Sequence, residues 1–360
     1  MILEYIAIIV ALFFAMNIGA SGTAASMGAP YGAGAIRSKR LALLLVAITA
    51  FLGAVLGGGE VVKTIGKGII PMDLLDAKIV IIILVGATLT LFLANIIGIP
   101  LSTSEVTVGS IVGVGAAFQA IYSESLLYIV SFWVIIPIAS FMITYVLGYL
   151  IKLAENRWSE LTENGRWTKW LSVLLVFGGC LEAFSAGMNN VANSIGPIVG
   201  AGMISSSNGL LLGALFTSIG AILLGGKVLE TNGKKITKLS LLQGSAVSFT
   251  GGTLVIIASV FGVPIPLTQV TTCGILGVGA VKDGFAIMQK DVIKRIGMVW
   301  LVSPLASLMV SYLLIHLFID PNFYQVLVTI STLIVGIGTI GLSKIVKKET
   351  RVFVDKGAGI

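Results

Sequence analysis

Long apolar runs separated by short polar connections dominate this chain: 2–20, 41–57, 79–97, 126–151, 170–186, 209–226, 239–261, 296–319 and 323–343. Several approach or exceed the roughly 20 residues that an α-helix needs to cross a hydrocarbon core. Three further runs, 106–121, 191–204 and 272–289, are too short or too glycine-rich for confident spans, and read as half-helices, re-entrant pieces or tilted helices. The apolar pattern breaks twice in the same way. Residues 19–36 read GASGTAASMGAPYGAGAI and residues 187–204 read GMNNVANSIGPIVGAGMI; eight of these eighteen positions are identical at an offset of 168. A twinned interruption of apolar segments is a sequence pointer to a substrate site between two halves of a membrane chain.

Composition supports the same class. The chain has 360 residues, 56% hydrophobic and 11% charged, with mean hydropathy +1.04. Soluble domains carry about 25% charged residues, so this composition cannot cover a water-facing surface. The first run opens Met1-Ile2-Leu3-Glu4 without a basic leader and reads as a retained helix rather than a cleaved signal. The net charge of +7 comes from loop and tail residues such as Arg37, Lys39, Arg40, Lys282, Lys290, Lys344 and Arg351. That is the signature of cytoplasmic loops, and it implies no nucleic acid. Cys180 and Cys273 sit in separate apolar runs and read as small packing residues, with no disulfide or metal framework.

The repetition extends along the chain. Gly98-Ile99-Pro100 through Ala116 returns as Gly262-Val263-Pro264 through Ala280, at an offset of 164. Trp133, Pro137, Ser140 and Tyr145 return as Trp300, Pro304, Ser307 and Tyr312, at 167. The fold expected is therefore an all-α polytopic membrane protein of two homologous, inverted repeats, with broken or re-entrant helices and roughly ten to twelve membrane segments. The first repeat takes 1–151 and the second 170–343. The hydrophilic stretch 152–169 links them, and a basic tail occupies 344–360.

The chain has one histidine, His316, inside an apolar run, and no Ser-His-Asp set, zinc pair or nucleotide loop, which disfavours an enzyme. Its candidate chemistry is small, hydroxylic and amidic. Ser21, Gly22 and Thr23 lie in the first break, and Asn189, Asn190 and Asn193 in the second. Ser102, Thr103 and Ser104 follow Pro100, and Thr268 follows Pro264, as at helix starts, where free amides and the helix dipole receive anions. Glycines in these segments also fit close helix packing. Glu105 and Glu182 are ionisable groups in apolar runs and are the candidate coupling residues. Glu60 and Lys63, mirrored by Lys227 and Glu230, read as scaffold ion pairs.

These residues resemble the inorganic phosphate transporter family, whose duplicated signature reads Gly-Ala-Asn-Asp-x-Ala-Asn. The resemblance covers nearly the whole chain. It implies an inverted-repeat helical bundle, a homodimer, no cofactor, and anion and sodium sites built from the signature and the Pro-Ser/Thr segments. The first copy here is Gly19-Ala20-Ser21-Gly22-Thr23-Ala24-Ala25, without the Asn or the Asp. The second, Gly187-Met188-Asn189-Asn190-Val191-Ala192-Asn193, keeps the Asn and neutralises the Asp. Loss of both carboxylates removes hard-cation ligands for sodium and favours a full dianion over one that carries a proton. The pattern is similar to the bacterial sulfate-permease branch of that family. It implies inward, proton-coupled transport of sulfate; the alternatives are sodium- or proton-coupled transport of phosphate or another oxyanion such as thiosulfate, and an anion channel.

Overall fold

Every long apolar run in the described chain folds as a helix, because a backbone in lipid must satisfy its own hydrogen bonds. The computed structural model describes residues 1–97, 101–161, 165–235, 239–284, 291–332 and 334–335. The start of the first proline segment, residues 98–100, and the basic tail lie outside the described residues. Helix α1 (Ile2–Ile18) runs into a π-helical turn, Gly19–Thr23, and then a short α2 (Gly28–Gly32). There follow α3 (Lys39–Gly57), α4 (Gly59–Lys67), α5 (Ala77–Ile97), α6 (Thr103–Ala117) and α7 (Ser123–Arg157). The second half holds α8 (Thr168–Gly200), α9 (Ser206–Leu224), α10 (Gly226–Lys235), α11 (Leu241–Val260), α12 (Leu267–Asp283) and α13 (Asp291–Phe318). A last described helix, α14, is Phe323–Thr332.

Eight helices among the described residues are long and apolar enough to span a bilayer: those of α1, α3, α5, α7, α8, α9, α11 and α13. Large apolar side chains such as Leu44, Leu56, Leu127, Val134, Ile138 and Leu223 are exposed on their outer faces. Helices that are apolar on the face away from the core belong in lipid. The chain is a multi-pass membrane protein.

The packing follows the offsets of the sequence. The short helix α6 packs against α13, and the short helix α12 packs against α7, so each inserts against the long helix of the other half. Helix α8 lies at the centre against α11, α3 and α4. A Cβ at Gly187 would strike the carbonyl oxygen of Ala50, and one at Gly19 that of Thr217. Gly53 meets Phe184 and Gly220 meets Met16 in the same way. Each pair of contacts is related by shifts of 167 and 168, so the Gly19/Gly187 identity between the two breaks is spent on helix crossings. We expect Gly187→Ala to push α3 off α8 at a cost of about 1–3 kcal/mol, as overpacking does, and to lower the unfolding temperature in detergent. Gly59→Ala, where a methyl would meet nothing within 4 Å, should leave it unchanged.

Two expectations are corrected. The first Gly-rich copy is an interruption, the π-helical turn at Gly19–Thr23, but the second is not: α8 runs without a break from Thr168 to Gly200. The run 191–204 is therefore mostly the C-terminal end of a long helix and not a separate half-helix. Asn residues disfavour helix interiors because their amides compete with the backbone. Here tertiary partners occupy those amides, and packing on both sides overrides propensity. Within the hydrophilic link 152–169, α7 continues through Arg157.

Candidate functional site

The N-terminal turns of α6 and α12 meet over the buried amide face of α8. Ser102 caps α6, its hydroxyl accepting from the Glu105 amide at 3.4 Å. This places Thr103, Ser104 and Glu105 in the first turn, all buried. The Thr103 hydroxyl donates to Asn190 Oδ1 at 3.1 Å. Asn193 Nδ2 reaches both Thr103 Oγ1, at 3.3 Å, and Ser104 Oγ, at 3.1 Å. The Ser104 hydroxyl lies 3.0 Å from the Ile265 carbonyl and 3.3 Å from Asn189 Oδ1. Side-chain amides on successive turns of one unbroken helix thus bind the first turn of α6, and unsatisfied polar groups at this depth are costly.

The three asparagines do different work. Asn189 donates to Ser259 Oγ at 3.0 Å and the Val263 carbonyl at 2.9 Å, and its Oδ1 accepts from the Ile265 amide at 2.9 Å as well as facing Ser104. Its bonding capacity is fully used in holding the segment before α12, which leaves nothing for an anion in this conformation. Trp133 Nε1 pins the same segment by donating to the Pro264 carbonyl at 2.9 Å. Asn190 is different: its oxygen is taken by Thr103, while its Nδ2 donates to no described acceptor. That Nδ2 lies 3.8 Å from the Cβ position at Gly22, and Thr268 Oγ1 lies 4.0 Å from it. Gly22 and Thr268 are half-buried while Asn190 is buried. Asn193 Oδ1 is buried without a partner among the described residues.

The π-helical turn, α8 and α12 thus meet at a half-buried junction of donors, the candidate anion crevice. Gly22 contributes the absence of a side chain, Asn190 a free amide and Thr268 a hydroxyl at a helix start. Both helix N-termini carry partial positive charge there. Of the other residues in the first copy, the buried Ser21 bonds back to the Ile18 carbonyl at 3.2 Å, and Thr23 Oγ1 is buried without a described partner. No group of three or more His, Cys, Asp or Glu suited to a metal occurs among the described residues.

Both carboxylates accept a hydrogen bond from α12. Glu105 is 2% exposed; Gln269 Nε2 donates to one oxygen and the Ser303 hydroxyl to the other, at 2.8 Å. Glu182 is buried in α8 and accepts from the Thr271 hydroxyl at 2.6 Å. The ion pairs lie elsewhere: Glu60 with Lys63 at 2.6 Å, and Lys39 with Glu230 at 2.8 Å. Glu230 therefore pairs across to α3. His316 is buried, edge-on to Tyr312, with Nδ1 3.2 Å from the Asp320 carbonyl. Cys180 and Cys273 are free thiols.

The sequence reading missed Ser303, Ser259 and the role of Gln269. A signal for Gln269 was present: the offset of 164 carries position 105 onto 269, so the two partners occupy corresponding positions.

Comparison with known proteins shows what the chain is similar to. The chain is 50% identical to the sulfate permease CysP of Bacillus subtilis over 358 residues, covering 99% of this chain and 100% of that protein. It is 29% identical to a putative phosphate permease of Pyrococcus furiosus, over 83% of this chain and 92% of that one. A solved sodium-dependent phosphate transporter superposes with a TM-score of 0.74 at 27% identity, covering 87% of this chain and 99% of the other. A model of the phosphate transporter family matches residues 18–311, most of the chain, and the chain belongs to that family.

Proposed function

We propose that this protein is a secondary transporter that imports sulfate in symport with protons, with the anion in the crevice of Gly22, Asn190 and Thr268. One observation carries the choice of anion: the described side-chain atoms nearest Gly22 are an amide nitrogen, Asn190 Nδ2, and a hydroxyl, Thr268 Oγ1. Such donors satisfy a full dianion, which has no proton of its own to place. The full-length likeness to a sulfate permease supports the same reading. Glu105 and Glu182, buried beside the site without a described cation partner, are the proton carriers. The two halves are inverted repeats in this reading, supported by the paired offsets and the reciprocal packing of α6 and α12.

Uptake of labelled sulfate and labelled phosphate into proteoliposomes, with and without an inward proton gradient, tests it. Uphill sulfate accumulation driven by the gradient is expected; phosphate uptake that requires sodium would overturn it. We also expect Ser104→Ala to weaken sulfate binding about tenfold, measured by calorimetry. It removes an acceptor from Asn193 and the tie to Ile265, groups worth about 1–2 kcal/mol when left unpaired.

A further inference from the structure

We infer that α12 is the element that couples proton binding to anion binding, with Gln269 and Thr271 as positioning residues that tie Glu105 and Glu182 to Thr268. The inference rests on the sulfate–proton reading above and deepens it. Three polar side chains in the first turns of α12 reach three different partners. Thr268 faces the crevice at Gly22, Gln269 donates to Glu105 on α6, and Thr271 donates to Glu182 on α8. One short helix is thereby bound to both buried carboxylates and carries Thr268 of the proposed anion site.

The bond to Glu105 is not a by-product of local helix geometry. Ser102-x-x-Glu105 has the spacing of a capping box, in which the acidic side chain folds back on the N-cap amide. Ser240-x-x-Gln243 in α11 has the same spacing and closes that box completely. In α6 only the Ser102 half forms, and the Glu105 carboxylate turns across to Gln269 and Ser303. The local option is given up for an inter-helix one.

The ties are also unequal between the halves. Thr107 corresponds to Thr271 at the offset of 164, yet its hydroxyl is buried without a described partner. Positions 14 and 15, which correspond to Glu182, are Phe14 and Ala15. Glu182 therefore has no counterpart carboxylate at the corresponding positions of the first half, which singles out α12. Facing the two carboxylates are Gln269 from α12 and Ser303 from α13 at Glu105, and Thr271 from α12 and Ser248 from α11 at Glu182. None of these is charged, and no described cation pairs with either group.

The chemistry follows from the donor inventory. An ionised carboxylate only accepts, so Gln269 and Thr271 both make charge-assisted bonds, about twice as strong as neutral ones. A proton on either oxygen makes it a donor, weakens the tie and removes a negative charge from beside the anion. Empty and deprotonated, α12 is held by both carboxylates; protonated, it is released to close Thr268 on sulfate.

Two readouts on purified protein in proteoliposomes test this: sulfate counterflow, which needs no gradient, and pH-gradient-driven uptake across a pH series. For Gln269→Leu and Thr271→Val we expect counterflow within about threefold of the parent protein. Accumulation should fall about tenfold or more, as for loss of a bond to a charged group, and its pH profile should flatten. Thr271→Ser, which keeps the hydroxyl, should behave as the parent. The exchanged pair Glu105→Gln with Gln269→Glu should restore accumulation. Unchanged accumulation and pH profile in the single variants would overturn the inference, as would loss of counterflow and accumulation together with no recovery in the exchanged pair. A parent protein without sulfate counterflow, but with phosphate counterflow, would overturn the substrate reading and this inference with it.

Discussion

Asn190→Asp should cut sulfate uptake by about two orders of magnitude while leaving the protein folded. The substitution is isosteric, and the oxygen that accepts from the Thr103 hydroxyl is kept. What changes is the atom facing Gly22 and Thr268, from an amide donor to part of a carboxylate. Two unit charges about 4 Å apart repel by about 4 kcal/mol at an effective dielectric constant near 20. The crevice is half-buried rather than sealed, and the new acid can take up a proton, so about 3 kcal/mol is the better figure, or about a hundredfold. Phosphate brings a proton that the carboxylate can accept, so its transport should fall less, and the preference for sulfate over phosphate should collapse. Competition between the two labelled anions reads this directly, and unchanged sulfate uptake would remove Asn190 from the anion site. Asn189→Asp provides the contrast. There a carboxylate oxygen would face the Val263 carbonyl in a fully buried position, so a loss of stability is expected rather than a change of preference.

The contrast between these neighbours shows where sequence reasoning succeeds and where it stops. Apolar runs, the paired offsets and the capped start of α6 at Ser102 were all legible, because each depends on composition or spacing within one segment. The breaks were half legible. GASGTAAS interrupts its helix as a π-helical turn, while GMNNVANS, with the same glycine and alanine framework, stays helical. The difference lies in what surrounds them. Asn189, Asn190 and Asn193 bond across to α6 or to the 259–265 segment, and the helix keeps its own ladder. No local pattern reports such a partner. Similarly, the spacing names Asn189 and Asn190 alike as candidate ligands, but only the pairing of all four valences on Asn189 separates a structural clip from a free donor. Ser303 carried no signal at all, since its role exists only where α13 crosses α6.

Glu105→Gln should abolish most gradient-driven accumulation while sparing exchange, and the size of the loss reports how the two carboxylates share the load. Glutamine fills the same volume, and the Ser303 hydroxyl can turn to accept from the new amide, so the helix contacts survive. Each coupled proton contributes about 1.4 kcal/mol per pH unit, a tenfold accumulation. Two carboxylates that each carry one proton match the double charge of sulfate, so the parent protein should move no net charge. A one-unit gradient should then drive about a hundredfold accumulation, insensitive to membrane potential. With Glu105 neutralised, Glu182 alone leaves one proton per dianion: about tenfold accumulation at zero potential, and a new inhibition by an inside-negative potential set with potassium and an ionophore. If the carboxylates act only as a unit through α12, accumulation disappears altogether and counterflow is all that remains. Full accumulation and an unaltered pH profile in Glu105→Gln would take the residue out of coupling, and would leave the proton path to Glu182.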